Sequence, residues 1–125
     1  MNCIVDSSGW IEYAMDSDRA DLFEAAIEDF KNLIVPSIVI HEVFKVLKRK
    51  LGETSAVDVL AYMQRGQVVE MGDSIAILAA KMAMDLQLPM ADSIIYATAH
   101  IYDAEIWTQD ADFKSLSGVK YFEKN

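Results

Sequence analysis

The stretch AEIWTQDADF, residues 104–113, joins an apolar run to two closely spaced carboxylates, Asp110 and Asp112. Residues 105–108 have the length and side-chain mix of a buried strand. Two acids just past a strand usually form a solvated turn or a helix cap, because Asp accepts hydrogen bonds from free backbone N–H groups. Whether they form a site instead depends on which other acids the fold carries to the same strand end.

Working outward from that strand, a short helix is expected after Asp112, which suits its N-cap, and residues 119–122 read as a closing strand. Upstream, Pro89 precedes a helix over 91–102, and residues 74–86 form an Ala- and Met-rich helix whose wide apolar surface predicts burial of most of it. Residues 67–70 read as a strand and 54–65 as a helix. Pro36 and Ser37 open a helix that runs through Leu51 to a stop at Gly52, after a strand over 33–35. Residues 19–30 place Leu22, Phe23, Ala26, Ile27 and Phe30 at helical spacing. Ser7 and Ser8 suit the start of the first helix, after a strand over 2–5. This alternation predicts an α/β fold with a central parallel sheet of about five strands, flanked by helices on both faces, whose ligands bind beyond the carboxyl ends of the strands.

The 125 residues, 53% hydrophobic and 25% charged, suit one compact domain spanning 1–125. The first strand is too short and too soon interrupted by Asp6 for a signal peptide. No apolar run approaches the roughly 18 residues of a membrane span, so a cytoplasmic protein without membrane contact is expected. Cys3 is the single cysteine, which excludes an intrachain disulfide and a thiolate metal cluster. A net charge of −9 argues against broad, nonspecific attraction to nucleic acid, though total charge does not locate charge.

In a parallel sheet of this order, Asp6 and Asp110 end strands that point the same way. If those strands are neighbours, the two acids come within reach of one ion. Asp92 lies in the first turn of its helix, where the helix dipole favours a carboxylate. Glu42 has Val39, Val43 and Val46 around it, which turns its helix face toward the core edge and the same ring of acids. So many carboxylates in one space require a compensating cation, and an all-oxygen set suits Mg2+ or Mn2+ better than zinc. The chemistry matched to such a set is phosphodiester hydrolysis. Thr108 is placed to hydrogen-bond a neighbouring carboxylate.

These segments resemble the PIN-domain nucleases, most closely the VapC-type ribonuclease toxins of type II toxin–antitoxin pairs. The resemblance runs through IVDSSGWIEY at the start, VPSIVIHEVFKVL around Glu42, LPMADSIIYATAH around Asp92, and IWTQDADF near the end. Each segment is weak alone, and the four in order are specific. The resemblance implies a PIN-like three-layer fold, dependence on Mg2+ or Mn2+, endonucleolytic cleavage of RNA, inhibition by a cognate antitoxin, and a homodimer. By motif position, Asp6, Glu42, Asp92 and Asp110 match the acidic quartet and Asp112 an additional ligand. Ser7 stands where the family often has Thr.

Lys45, Lys48, Arg49 and Lys50 form the one dense basic cluster. Lys45 and Arg49 share a helix face with Glu42, which suits either a solvated face or contact with an RNA phosphate. His41 and His100 lack a second His or Cys at ligand spacing and read as structural residues. The aromatic and aliphatic side chains of the first two helices suit either core or a groove for an antitoxin or a second copy. A two-component receiver domain shares the strand–helix alternation but wants paired acids after the first strand and a phosphate-accepting Asp after the third. A haloacid-dehalogenase-like phosphatase wants a second Asp where Ser8 stands. A PIN-fold binding protein with weak or lost catalysis is the remaining alternative.

Overall fold

The computed structural model describes residues 1–124. In chain order the elements are β1 (Asn2–Val5), α1 (Ser7–Ala14), α2 (Ala20–Glu28), β2 (Ile34–Pro36), α3 (Ser37–Leu51), α4 (Glu53–Met63), β3 (Gln67–Val69), α5 (Asp73–Leu86), α6 (Met90–Ile101), β4 (Ala104–Thr108) and β5 (Val119–Tyr121). A 3-10 turn over Ala111–Phe113 connects β4 to the last strand. Every strand pairing is parallel. The expected α/β architecture is present, with α2 and α4 each about a turn or less shorter than the periodicity predicts.

The sheet departs from the expected five continuous strands. β1, β4 and β5 form one ladder in the order β1-β4-β5, and β2 and β3 form a second. A single parallel bridge, Cys3 to Leu33, joins them. Pro36 limits how far this ladder can run: after Ile4 with Ile34, the pair Val5 with Val35 requires an amide hydrogen at residue 36, which proline lacks. The same proline ends β2 and serves as the N-cap residue of α3, so the residue that opens the helix also limits the ladder.

The core lies along both faces of these strands. Ile4, Val5 and Ile106 are fully buried from the sheet, and Trp10, Phe23, Ile27, Val39, Leu47, Ile95 and Phe113 cover them. Trp10, Phe23 and Ile27 of the first two helices are therefore core, whereas Tyr13 is half-buried and Leu22 is exposed. The expected burial of α5 is overturned. Only Ile75 and Ala79 of that helix are buried, whereas Ile77 and Met84 are 59% and 82% exposed. Leu78 and Met82 pack partly buried against the core beside Ile75 and Ala79. Among the described residues no single helix is long and apolar enough to cross a membrane.

One glycine positions α1. A Cβ at Gly9 would lie 2.6 Å from both Phe23 of α2 and Val5 of β1. The absence of that carbon lets the first turn of α1 settle between the sheet and α2. Asp6 is the residue just before that turn.

Candidate active site

β1 and β4 are neighbours, with Val5 in register with Trp107. The Asp6 amide donates to the Trp107 carbonyl, so the ends of the two strands are tied together where Asp6 and Thr108 leave the sheet. α1 starts at Ser7 and Ser8, as the sequence suggested, and its N-cap is Asp6. Its Oδ1 accepts from the Ser8 hydroxyl at 2.7 Å and the Gly9 amide at 3.2 Å. Its Oδ2 accepts from Thr108 Oγ1 at 2.6 Å. Three donors fix a carboxylate that is almost entirely out of solvent. Burial pushes its pKa up to about 6, and the hydrogen bonds from Thr108, Ser8 and Gly9 pull against that rise.

Thr108 links this carboxylate to the next. While donating to Asp6, its hydroxyl oxygen accepts from the Asp110 amide at 2.8 Å. Asp110 then caps the 3-10 turn by accepting from the Asp112 amide at 2.9 Å. The expectation that Asp112 caps a helix here is corrected: the turn starts at Ala111, so the cap position falls on Asp110, and the Asp112 carboxylate is left free of that duty. The two acids that follow β4 thus have different backbone duties but point to one place.

α6 supplies the third acid. Asp92 lies in its first turn, and one oxygen each of Asp92, Asp110 and Asp112 lies within 4.8 Å of the others. Like charges at that spacing, with partial burial, push the Asp92 carboxyl up to about 8; burial contributes most, followed by the Asp110 charge and the hydrogen bonds and charge of Asp112. The group holds a proton that a divalent cation would replace. All its donors are carboxylate oxygens, a set that suits Mg2+ or Mn2+.

Asp6 and Glu42 stand outside the 4.8 Å group. Asp6 adjoins it through Thr108, and the Asp110 charge contributes to its raised pKa. Glu42 comes from the second turn of α3 and its Oε1 accepts from Ser7 Oγ at 2.7 Å, which holds it beside Asp6 at the rim. Lys45 and Arg49 line a cavity of about 320 Å³ with Glu42, His41, Met90 and Ala91, next to Asp92. His41 is exposed in that wall. α3 turns its Val39–Val43–Leu47 stripe to the core, and His41 falls on the opposite side.

Gln109 escaped the sequence reading. It lies between Thr108 and Asp110 and is 5% exposed. Its side chain faces away from both neighbours and donates to Glu12 Oε2 at 2.7 Å while accepting from Arg19 Nε. Arg19 also donates to the Phe122 and Glu123 carbonyls. Strand alternation assigns Gln109 to the opposite face from Thr108; nothing in the spacing points to Arg19, ninety residues away.

The family described as PIN domain matches residues 3–119. Solved structures of similar shape include one from a toxin–antitoxin complex of Klebsiella pneumoniae, 21% identical, with a TM-score of 0.82 over 98% of this chain and 100% of that one. VapC20 of Mycobacterium tuberculosis, described as a sarcin-ricin loop cleaving toxin, is 16% identical, with a TM-score of 0.77 over 93% and 95% of the two chains. A DNA-bound VapBC structure from Salmonella typhimurium is 14% identical, with a TM-score of 0.74 over 98% of each chain. No curated protein matches by sequence.

Proposed function

Since the chain belongs to the PIN-domain family, we propose that it is a metal-dependent endoribonuclease and the toxin half of a toxin–antitoxin pair. The observation that carries this reading is the meeting of Asp92, Asp110 and Asp112 at the carboxyl edge of the sheet, with Asp6 joined to them through one threonine hydroxyl. Acids from the first strand, the sixth helix and the turn after the fourth strand have no structural need to converge, and their repulsion opposes it.

In this reading Asp6, Glu42, Asp92, Asp110 and Asp112 hold Mg2+ or Mn2+, and Asp6, Glu42, Asp92 and Asp110 form the catalytic set. The bound ion supplies Lewis-acid stabilisation of charge on the phosphate oxygens and lowers the pKa of water at the site. Thr108 and Ser8 keep the Asp6 oxygens in one orientation, and Ser7 does the same for Glu42. Lys45 and Arg49, in the wall of the neighbouring cavity, contact an RNA phosphate and draw the chain toward the acids.

The cognate partner is an antitoxin protein, a reading supported by similarity to chains from toxin–antitoxin complexes. We also place the protein in a homodimer. Exposed apolar side chains that could supply its surface lie at Met15 and Leu22 by the first two helices, and on α5 at Ile77 and Met84.

The test is cleavage of RNA with added Mg2+ or Mn2+, comparing the parent with Asp6→Asn and Asp92→Asn. Metal-dependent cleavage by the parent and its loss in both variants support the reading. Equal cleavage by all three overturns it.

A further inference from the structure

A second cavity adjoins the acidic edge. It measures about 490 Å³ and is lined by Ser8, Ile11, Met15, Lys50, Gln109 and Lys124, with Glu12 and Ser17 completing its wall. One of these residues touches the site directly, and another is its neighbour in the chain. The Ser8 hydroxyl donates to Asp6, and Gln109 is the residue between Thr108 and Asp110. The first cavity opens beside Glu42 and Ala91, so one cavity adjoins Asp92 and the other adjoins Asp6.

The distribution of cations singles out these two places. Of the 11 lysines and arginines, Arg19 is held by Gln109 and Glu12, and Lys48 and Lys114 pair with glutamates. Arg65 lies over Phe30 and Tyr62, and Lys120 over Trp107. That leaves Lys31, Lys45, Arg49, Lys50, Lys81 and Lys124, which no ion pair or ring contact engages among the described residues. Four of these six line the two cavities. In a chain of net charge −9, the unengaged positive charge flanks the acidic group instead of spreading over the surface.

We propose that the second cavity is a nucleotide subsite: Lys50 and Lys124 bind phosphates on one side of the cleaved bond, Lys45 and Arg49 bind those on the other, and Ile11 and Met15 contact a base. The inference rests on the endoribonuclease reading and adds to it an unpaired strand that crosses the acidic edge from cavity to cavity. Each cavity is within the range that encloses a small-molecule-sized group. Filling both requires bases turned out of a helix, which a single strand permits and a duplex does not. Glu12 does not spoil the wall for phosphate: its carboxylate accepts from Gln109, and Arg19 lies 4.0 Å away. The thioether of Met15 suits a sequence-tolerant base contact, because it adapts its shape to the ring it meets.

Binding is measured by fluorescence anisotropy, using a short fluorescein-labelled single-stranded RNA with Ca2+ in place of Mg2+. Lys50→Ala/Lys124→Ala is expected to weaken binding roughly tenfold at low salt and to flatten the salt dependence by about 1.4 in log–log slope, at about 0.7 for each lost phosphate contact. Lys50→Arg/Lys124→Arg restores both. Lys31→Ala/Lys81→Ala removes equal charge elsewhere and leaves both at the parent values. Parent-like affinity and slope in the Lys50/Lys124 alanine pair overturn the inference, as do equal losses in the control pair. Equally tight, Lys50-dependent binding of a duplex of the same sequence also overturns it, and so does a defect confined to binding a protein partner. A parent that cleaves no RNA with Mg2+ or Mn2+ defeats the endoribonuclease reading, whereas an unmoved Lys50/Lys124 pair in a cleaving parent defeats the subsite alone.

Discussion

Acids crowd two regions of this molecule, and only one of them has the makings of a site. Along α2, Asp21, Glu24 and Glu28 all lie exposed, spread over a solvated face, with Glu28 accepting hydrogen bonds from Tyr13 and Tyr62. At the carboxyl edge Asp6 is 2% exposed, and Asp92, Asp110 and Asp112 converge on one another. Water screens the first group, so its charges repel weakly. The second has given up that screening, and its repulsion is relieved by a proton on Asp92 or by a cation. Residue type is the same in both; convergence combined with loss of solvent makes the difference.

The sharpest way to break this contrast is to neutralise one acid from each region. Asp92→Asn and Asp6→Asn are expected to lower RNA cleavage by more than about 100-fold, beyond the 10–100-fold that follows loss of a partner to a metal ligand. Asp21→Asn and Glu24→Gln are expected to leave the rate within about twofold. Initial rates with saturating Mn2+ check both. A large loss from the α2 variants would mean that total charge, rather than the converged group, governs the activity.

A smaller effect is expected one bond away. Thr108→Val removes the hydroxyl that donates to Asp6 and accepts from the Asp110 amide, leaving a buried carboxylate oxygen without that donor. Mn2+ affinity, followed by calorimetry, is expected to fall about 10-fold, at the lower end for such partners. Thr108→Ser keeps the hydroxyl and is expected to recover most of the loss. No equivalent exists on α2, where solvent is available to replace a lost side-chain donor.

The two regions meet physically at Gly9. A methyl group there would press on Phe23 of α2 and Val5 of β1, and overpacking of this kind costs about 1–3 kcal/mol. Gly9→Ala is therefore expected to lower the urea midpoint by that measure. Mn2+ affinity should fall with it, because the displaced turn is the one that Asp6 caps. A variant that loses stability while keeping its Mn2+ affinity would show that the Asp6 position is set by Thr108 rather than by α1.

How far the sequence reveals these regions follows the range of the interactions. The strand–helix alternation was readable, because periodicity and local turn chemistry carry it, whereas the β1–β4 adjacency that brings Asp6 near Asp110 stood only as a condition, since strand order is not a local property. The single bridge between the two ladders was missed, because strand pairing over thirty residues leaves no local pattern. The cap at Asp110 was assigned to Asp112, since both acids satisfy the same local rule and only the start of the turn decides. The exposed side of α5 misled in another way: a wide apolar surface predicts burial, but only the face carrying Ile75 and Ala79 is covered, and Ile77 and Met84 stay outside. Arg19 and Gln109 were out of reach, because no local pattern connects residues so far apart in the chain.

The mildest difference between the regions should appear in stability as pH changes without metal. The Asp92 carboxyl is pushed up to about 8, from an ordinary value of 3.8, and Asp6 to about 6. A raised acid pKa means that the folded chain binds more protons than the unfolded one between the two values, so stability declines as pH rises through that interval. With EDTA present, the melting temperature is expected to fall steadily from about pH 4 to about pH 8, Asp6 contributing to the lower part and Asp92 continuing into the upper. Asp92→Asn should remove the fall above about pH 6, and Asp21→Asn should leave the whole curve in place. Mn2+ should oppose the decline most strongly at high pH, because it binds the deprotonated carboxylates and displaces the proton that Asp92 would otherwise keep. A metal-free protein that grows more stable over this interval would mean that the edge carboxylates are solvated like those of α2, and the contrast between the regions would disappear.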